Sequence, residues 1–465
     1  MTLYSSTRGK VKNLSFEETV MMGLADDGGL LIPNQLHNVS KKLKKWRTLG
    51  YKELSVEIID LFIDKNFPKD DLRLIIRESY KKFRHPEITP IILVDNVHIL
   101  ELFHGPTFAF KDIALQFLGN LFEYFLSKRK HPLRILGATS GDTGSAAING
   151  LKGKNGVDVF MLFPKGRVSP IQERQMTTIL DSNIHNLAIK GSFDDAQSIV
   201  KKIFKNNEFK NNNYLGSINS INWARILAQI VYYFFAWFRI TKSDHDLVNF
   251  VVPTGNFGNI LAGYYAKKMG LPIDKLVIAT NENDILHRFF KTGKYNRDKL
   301  KKTLSPSMDI QVSSNFERYL FDLAGKSPKK LILWMKNFEN KGELNIESNL
   351  LKIAQKDFLS SSANDKEVIS VIEKYHKEFN YILDPHTAVG ICSAEKLKLE
   401  HPTICLACAH PAKFNDTINK IFDFNPIIPK ELADLNNLET KFETVLCDEN
   451  IVKEIILEHL NSESK

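Results

Sequence analysis

Lys111 closes the segment Phe103-His104-Gly105-Pro106-Thr107-Phe108-Ala109-Phe110-Lys111-Asp112, between an apolar run and a helix that reads as buried. A lysine drawn out of water has a lowered pKa and serves as nucleophile or base. Alone, a lysine at a helix start is an ordinary surface residue. Two Gly-rich turns change that reading: Thr139-Ser140-Gly141-Asp142-Thr143-Gly144 and Gly255-Asn256-Phe257-Gly258-Asn259. Each stands where a strand gives way to a helix, and the free backbone N–H groups and helix dipole there attract phosphate or carboxylate. Glycine lets the chain wrap closely around an oxyanion. Neither turn is GxGxxG or GxxxxGK[ST], so a dinucleotide or P-loop nucleotide lacks its motif. A plain tight connection explains either turn taken singly. One lysine with two anion cradles in one α/β region is what pyridoxal phosphate requires: a lysine to carry it, a cradle for its phosphate and a second for a substrate carboxylate.

The elements that position these residues follow from the hydrophobic pattern. Strands are predicted over 98–103, 134–137, 157–163, 187–190, 247–252 and 276–280. Asp112 caps a helix in which Ile113, Phe117, Leu121 and Phe125 form one apolar row and Ala114, Leu118, Phe122 and Leu126 another. Further helices are expected from near Ser145, from a Ser192/Asp195 capping box to Phe204, and from the second turn to Met269. This alternation predicts an α/β fold of open, mostly parallel sheets, with ligands at the carboxyl ends of the strands. Residues 1–95, with helix faces at Leu54, Ile58, Leu61 and Phe62 and at Leu72, Ile75 and Ile76, read as a small helical N-terminal domain. Residues 96–465 then form the catalytic region, with a more helical insertion at about 292–380, a surface loop at 360–365 and a terminal helix after Pro426.

Composition narrows the classes. Lys and Arg total 63 against 54 Asp and Glu, a net charge of +9 that favours anionic ligands. The clusters 41–45 and 299–302 read as solvated faces, and no nucleic-acid motif accompanies them, so no nucleic-acid partner is expected. The most apolar stretch, 226–240, is interrupted by Gln229 and Arg239; a membrane span needs ~20 apolar residues, so it reads as a buried helix. Four cysteines and no apolar leader point to the cytoplasm. Cys405 and Cys408 spell CxxC within a strand, where positions three apart face opposite sides. With no second CxxC and no HExxH, no metal is expected.

The chain also resembles the threonine synthase family, pyridoxal-phosphate enzymes of fold type II (tryptophan synthase β-like). The resemblance is carried by Ser6-Thr7-Arg8-Gly9, Asp27-Gly28-Gly29-Leu30, the segment 105–112, the turn at 140–144 and Pro170-Ile171-Gln172-Glu173. It continues through Asn219-Ser220-Ile221-Asn222-Trp223-Ala224-Arg225, 253–258, 279–284, Asp384-Pro385-His386-Thr387 and His410-Pro411-Ala412-Lys413-Phe414. Its form is that of the long fungal and bacterial type.

The resemblance implies two open, mostly parallel α/β sheets beside a small helical N-terminal domain. It implies that Lys111 carries the cofactor and that Gly255, Asn256, Phe257, Gly258 and Asn259 hold its phosphate. Ser140, Gly141 and Thr143 would hold the substrate α-carboxylate, with Asp142 near the ring hydroxyl. Cys408 falls where the family usually places a threonine against the pyridine nitrogen, and a thiol is a weak donor. Arg8, Asn219, Asn222 and Arg225 are candidates for the substrate's departing phosphate, against docking for Arg8 and capping or packing for the others. His104, His386 and His410 orient substrate or serve the fold. The implied reaction converts O-phospho-L-homoserine and water to L-threonine and phosphate, in a monomer. The alternative keeps the cofactor in a threonine synthase-like phospholyase giving a 2-oxo acid, ammonia and phosphate. A non-enzymatic anion-binding protein ranks behind both.

Overall fold

A computed structural model describes residues 2–422 and 427–463. In it the apolar run Val248–Pro253 is a strand buried at every position, as expected for a central strand covered on both faces. Beside it on one side run Ile273–Thr280 and then the edge strand Phe358–Ser362, both parallel. On the other side run Thr403–Ala407 and Val97–Glu101, also parallel, and the antiparallel edge strand Ile91–Val94. This six-stranded sheet belongs to one of two compact units, Met1–Ala114 with Ser220–Pro426. The other unit, Leu115–Asn219 with Ile427–Lys465, holds a five-stranded, all-parallel sheet. Its strand order is Glu443–Val445, Ile184–Ile189, Val157–Pro164, Leu133–Ala138 and Leu215–Gly216. The expected pair of open, mostly parallel α/β sheets is therefore present.

Helix Trp223–Ile240 is buried from Trp223 through Phe238, and its polar end begins at Arg239. This is the stretch read as a core helix, and among the described residues no helix is long and apolar enough to cross a membrane. The N-terminal residues add helices Tyr51–Ile59 and Lys69–Ser79, buried through Leu54 and Ile58 and through Leu72, Ile75 and Ile76. They also add the antiparallel ribbon Tyr4–Ser6 with Leu31–Pro33.

Several expectations change, among them a helix face that ends at Ile59, before Leu61 and Phe62, and Asp112, which lies inside helix Lys111–Leu126 rather than capping it. Residues 360–362, read as loop, complete the edge strand Phe358–Ser362, whose register runs from Leu276↔Phe358 to Thr280↔Ser362. Backbone groups make that ladder, so a serine run at an edge joins it without an apolar pattern; the turn that follows ends with Asn364 capping helix Asp365–Phe379. The tail is not helix alone. Besides Glu449–Glu463 it supplies strand Glu443–Val445, too short to show alternation. Residues 423–426, just before that tail, lie outside the described residues.

Candidate active site

Lys111 is the first residue of helix Lys111–Leu126 and is half-buried. The loop before it is pinned on both sides. Phe110 N–H donates to the Cys408 carbonyl at 2.8 Å, and His410 N–H donates to the Phe108 carbonyl at 3.1 Å. Asp112, fully buried, accepts from Thr107 N–H and Thr107 Oγ1, both at 2.7 Å. Burial raises the Asp112 pKa, opposed by those two bonds and by the Lys413 charge. Lys413 Nζ donates to the Thr107 carbonyl at 2.8 Å. Arg84 stacks over the Phe108 ring at 3.6 Å and donates to the Gly105 carbonyl. The residue before the lysine and the residue predicted to face a ring nitrogen are thus joined directly.

Cys408 follows strand Thr403–Ala407, and the turn 255–259 follows its neighbour Val248–Pro253. Phe257 is the N-cap of helix Gly258–Lys268, left-handed at φ 61° and without a side-chain cap bond. That conformation costs a non-glycine residue ~1–2 kcal/mol. The fully buried Phe257 ring packs on Phe316, Phe358, Tyr319 and Phe290 at centroid distances of 5.1, 5.6, 6.0 and 6.4 Å. Burial of the ring stabilises by ~1.5–3 kcal/mol and aromatic pairing adds ~0.5–1.5 kcal/mol, so packing outweighs the strain. At Gly255 the chain passes so close to its wall that an added Cβ would lie 3.1 Å from the Ser307 carbonyl oxygen. Ser313 Oγ donates to the Gly255 carbonyl at 2.7 Å, and Asn315 donates to the Asn256 carbonyl through its N–H at 3.0 Å and Nδ2 at 3.1 Å.

Asn259 tests whether this turn fits an anionic group. Its carboxamide oxygen accepts from the Tyr232 and Tyr233 hydroxyls. Its Nδ2 is buried without a protein partner. A buried, unpaired donor beside an uncapped helix N-terminus suits a phosphate.

The other Gly-rich turn lies in the second unit. Helix Asp142–Leu151 starts three residues before the expected Ser145, because Gly141 at φ 143° reverses the chain. Thr139 Oγ1 accepts from Gly141 N–H at 3.0 Å and Gly144 N–H at 2.9 Å. Ser140 is exposed, Thr143 half-buried and Asp142 buried, its Oδ1 accepting from Gln172 Nε2 at 2.8 Å. Gln172 and Thr139 stand in segments singled out from the sequence, but their roles in shaping this turn were not foreseen; a side chain that supports backbone from a distance leaves no local pattern. Asn219, also in this unit, is exposed and donates to Ser217 Oγ at 3.0 Å.

In the first unit Asn222 caps helix Trp223–Ile240, accepting from Ala224 N–H at 3.0 Å and donating to the Val20 carbonyl at 2.9 Å. Arg225, one turn on, differs: its side chain is buried, and Nε and Nη1 lack any partner. Burial pushes its pKa down to about 10, with no acid nearby to offset it. Arg8 is held by Glu317 at 3.2 Å and Glu339 at 3.6 Å, the docking reading. His104 Nε2 lies 2.7 Å from Glu101 Oε2, and His410 Nδ1 accepts from Ala412 N–H at 3.2 Å. All four cysteines are free thiols, and no cluster of metal-binding side chains occurs among the described residues.

Comparison with known proteins identifies the family and the fold. Three family models match in order: "Threonine synthase N terminus" over residues 3–80, "Pyridoxal-phosphate dependent enzyme" over 83–333, and "Threonine synthase, C-terminal" over 387–456. A curated threonine synthase of Schizosaccharomyces pombe is 49% identical over 90% of this chain and 88% of its own. The crystal structure of a pyridoxal-phosphate-bound threonine synthase from Brucella melitensis superposes with a TM-score of 0.96 at 42% identity, covering 99% of each chain. That of the yeast threonine synthase gives 0.94 at 45% identity, again covering 99% of each. The chain belongs to the threonine synthases, a family of pyridoxal-phosphate dependent enzymes.

Proposed function

We propose that this chain converts O-phospho-L-homoserine and water to L-threonine and inorganic phosphate, the last step of threonine biosynthesis. The observation that carries the choice of a phosphorylated substrate is Arg225. A buried guanidinium with two unpartnered nitrogens is costly unless an anion arrives to meet it. A phosphate ester supplies that anion and accepts paired donors from a guanidinium fork.

Bound pyridoxal phosphate supplies an electron sink for the amino-acid substrate. Lys111 holds it, while the turn of Gly255, Asn256, Phe257, Gly258 and Asn259 takes its phosphate. Cys408 offers the pyridine nitrogen a neutral thiol. Ser140, Gly141 and Thr143 bind the substrate α-carboxylate, and Asp142, oriented by Gln172, serves the ring hydroxyl. Released when the substrate's amino group takes its place, the Lys111 amine would remove the proton at Cα and then one at Cβ. Arg225 steadies the γ-phosphate as it leaves, Asn219 lines its approach, and Asn222 acts from the N-cap of the helix that carries Arg225. Lys111 returns a proton to Cγ, water adds at Cβ, and the proton at Cα is restored. One amine serves every transfer because it stays tethered beside the reacting carbons. The enzyme acts as a cytoplasmic monomer.

The test supplies O-phospho-L-homoserine to the loaded enzyme and quantifies products. Threonine and phosphate in equal amounts are expected. Formation of 2-oxobutanoate and ammonia in place of threonine would assign the phospholyase reaction instead.

A further inference from the structure

Asp384, His386 and Thr387 are buried at the start of helix Pro385–Leu397, and the reaction just described uses none of them. This helix lies tight against the two strands that carry the proposed cofactor segments. An added Cβ at Gly390 would meet Cys405 Sγ at 2.6 Å and Pro253 Cγ at 3.2 Å. Cys405 belongs to the strand that leads to Cys408, and Pro253 ends the strand that leads to the turn at 255–259.

The carboxylate of Asp384 fixes the direction of every hydrogen bond around it. Its Oδ1 accepts from His386 N–H and His386 Nδ1, both at 2.9 Å. Its Oδ2 accepts from the Thr387 hydroxyl and, at 3.4 Å, from Thr387 N–H. A carboxylate only accepts, so His386 carries its proton on Nδ1 and Thr387 commits its hydroxyl proton to Asp384. The acceptor ends of both side chains are thereby turned outward. Thr387 Oγ1 accepts from Cys408 N–H at 3.1 Å, and His386 Nε2 accepts from Ser307 N–H at 3.2 Å. The Ser307 carbonyl is the wall behind Gly255, and Ser313 and Asn315, farther along the same segment, hold the Gly255 and Asn256 carbonyls.

We propose that Asp384, His386 and Thr387 form a positioning relay in which one buried carboxylate sets Cys408 and the Gly255–Asn256 turn at a fixed separation, so that ring nitrogen and phosphate of one cofactor are met together. The inference rests on the reading that Cys408 and the turn hold pyridoxal phosphate. Thr387 acts through the backbone N–H of Cys408, His386 through that of Ser307, and Asp384 through both side chains.

The test compares Thr387→Val, which keeps the shape and loses the acceptor, with Thr387→Ser, which keeps the hydroxyl. Retention of pyridoxal phosphate by the holoenzyme on dilution, the position of its visible band and the melting temperature of the stripped chain are measured. The valine variant is expected to lose retention at least tenfold and to shift the band, with the stripped chain melting within a few degrees of wild type. The serine variant is expected to recover retention to within about twofold. A valine variant that retains cofactor like wild type would overturn the relay, as would a serine variant as weak as valine. Gly255→Val, which presses on the Ser307 wall, separates the two ideas. If it weakens retention while Thr387→Val does not, the relay alone fails. If it too retains cofactor like wild type, the placement of the phosphate at 255–259 fails with it.

Discussion

Phe110 donates its backbone N–H to the carbonyl of Cys408 at 2.8 Å, so the residue before Lys111 is tied to the residue proposed to face the cofactor ring. Backbone bonds of this kind survive changes of side chain. The position of the Lys111 helix start is therefore set independently of the identity of residue 408, and a thiol at that position leaves the frame intact.

Arg225 offers a test in which stability and activity move in opposite directions. Its buried charge has no partner, so Arg225→Met should stabilise the unliganded chain, by about 1–3 kcal/mol. The same change should lower kcat/KM for the phosphorylated substrate by 100-fold or more. Added inorganic phosphate should raise the melting temperature of wild type and not of the variant. Thermal melts with and without phosphate check this; a variant less stable than wild type and equally responsive to phosphate would place the anion elsewhere.

Phe257 combines a left-handed backbone with a buried ring. Phe257→Ala loses the ring and keeps the strain, and should cost ~3–5 kcal/mol in urea unfolding. Phe257→Gly loses the ring but relieves the backbone, and should be the more stable of the two by about 1 kcal/mol. The reverse order would mean that the turn does not hold this conformation in solution.

Acid should weaken the fold before most carboxylates titrate. Burial pushes His410 down to about 4, and burial with the charge of His459 pushes His185 down to about 4. Each is neutral when folded and takes up a proton on unfolding below pH ~6.5. Their contribution is complete above pH ~6.5 and is lost as pH falls toward 4, with a slope of at most about 1.4 kcal/mol per pH unit for each, less where solvent reaches the ring. Urea unfolding between pH 7 and 5 should show stability declining with acid, and His410→Gln should flatten the decline. A flat wild-type profile would contradict the partial burial of both rings.

Much of this architecture is legible in the chain because burial writes a pattern. The two apolar rows from Ile113 to Leu126 and the run from Ile226 to Phe238 announce helices that are buried in fact. What stays hidden is structure made by backbone or at long range. The serines at 360–362 pair through main-chain groups, and Glu443–Val445 is too short to alternate. Gly141 moves a helix start by three residues through one dihedral angle. Arg225 is visible as a residue type, but only its missing partners single it out. Thr387 and His386 reach Cys408 and Ser307 across 21 and 79 positions of sequence, a link that no local spacing encodes.

The most direct measurement is to treat the loaded enzyme with borohydride and map the pyridoxyl-modified peptide by mass spectrometry. The account predicts a single modified residue, Lys111, with loss of the visible band, and neither modification nor turnover in Lys111→Ala. A pyridoxyl group found on another lysine, such as the buried Lys413, or an active Lys111→Ala enzyme, would contradict it.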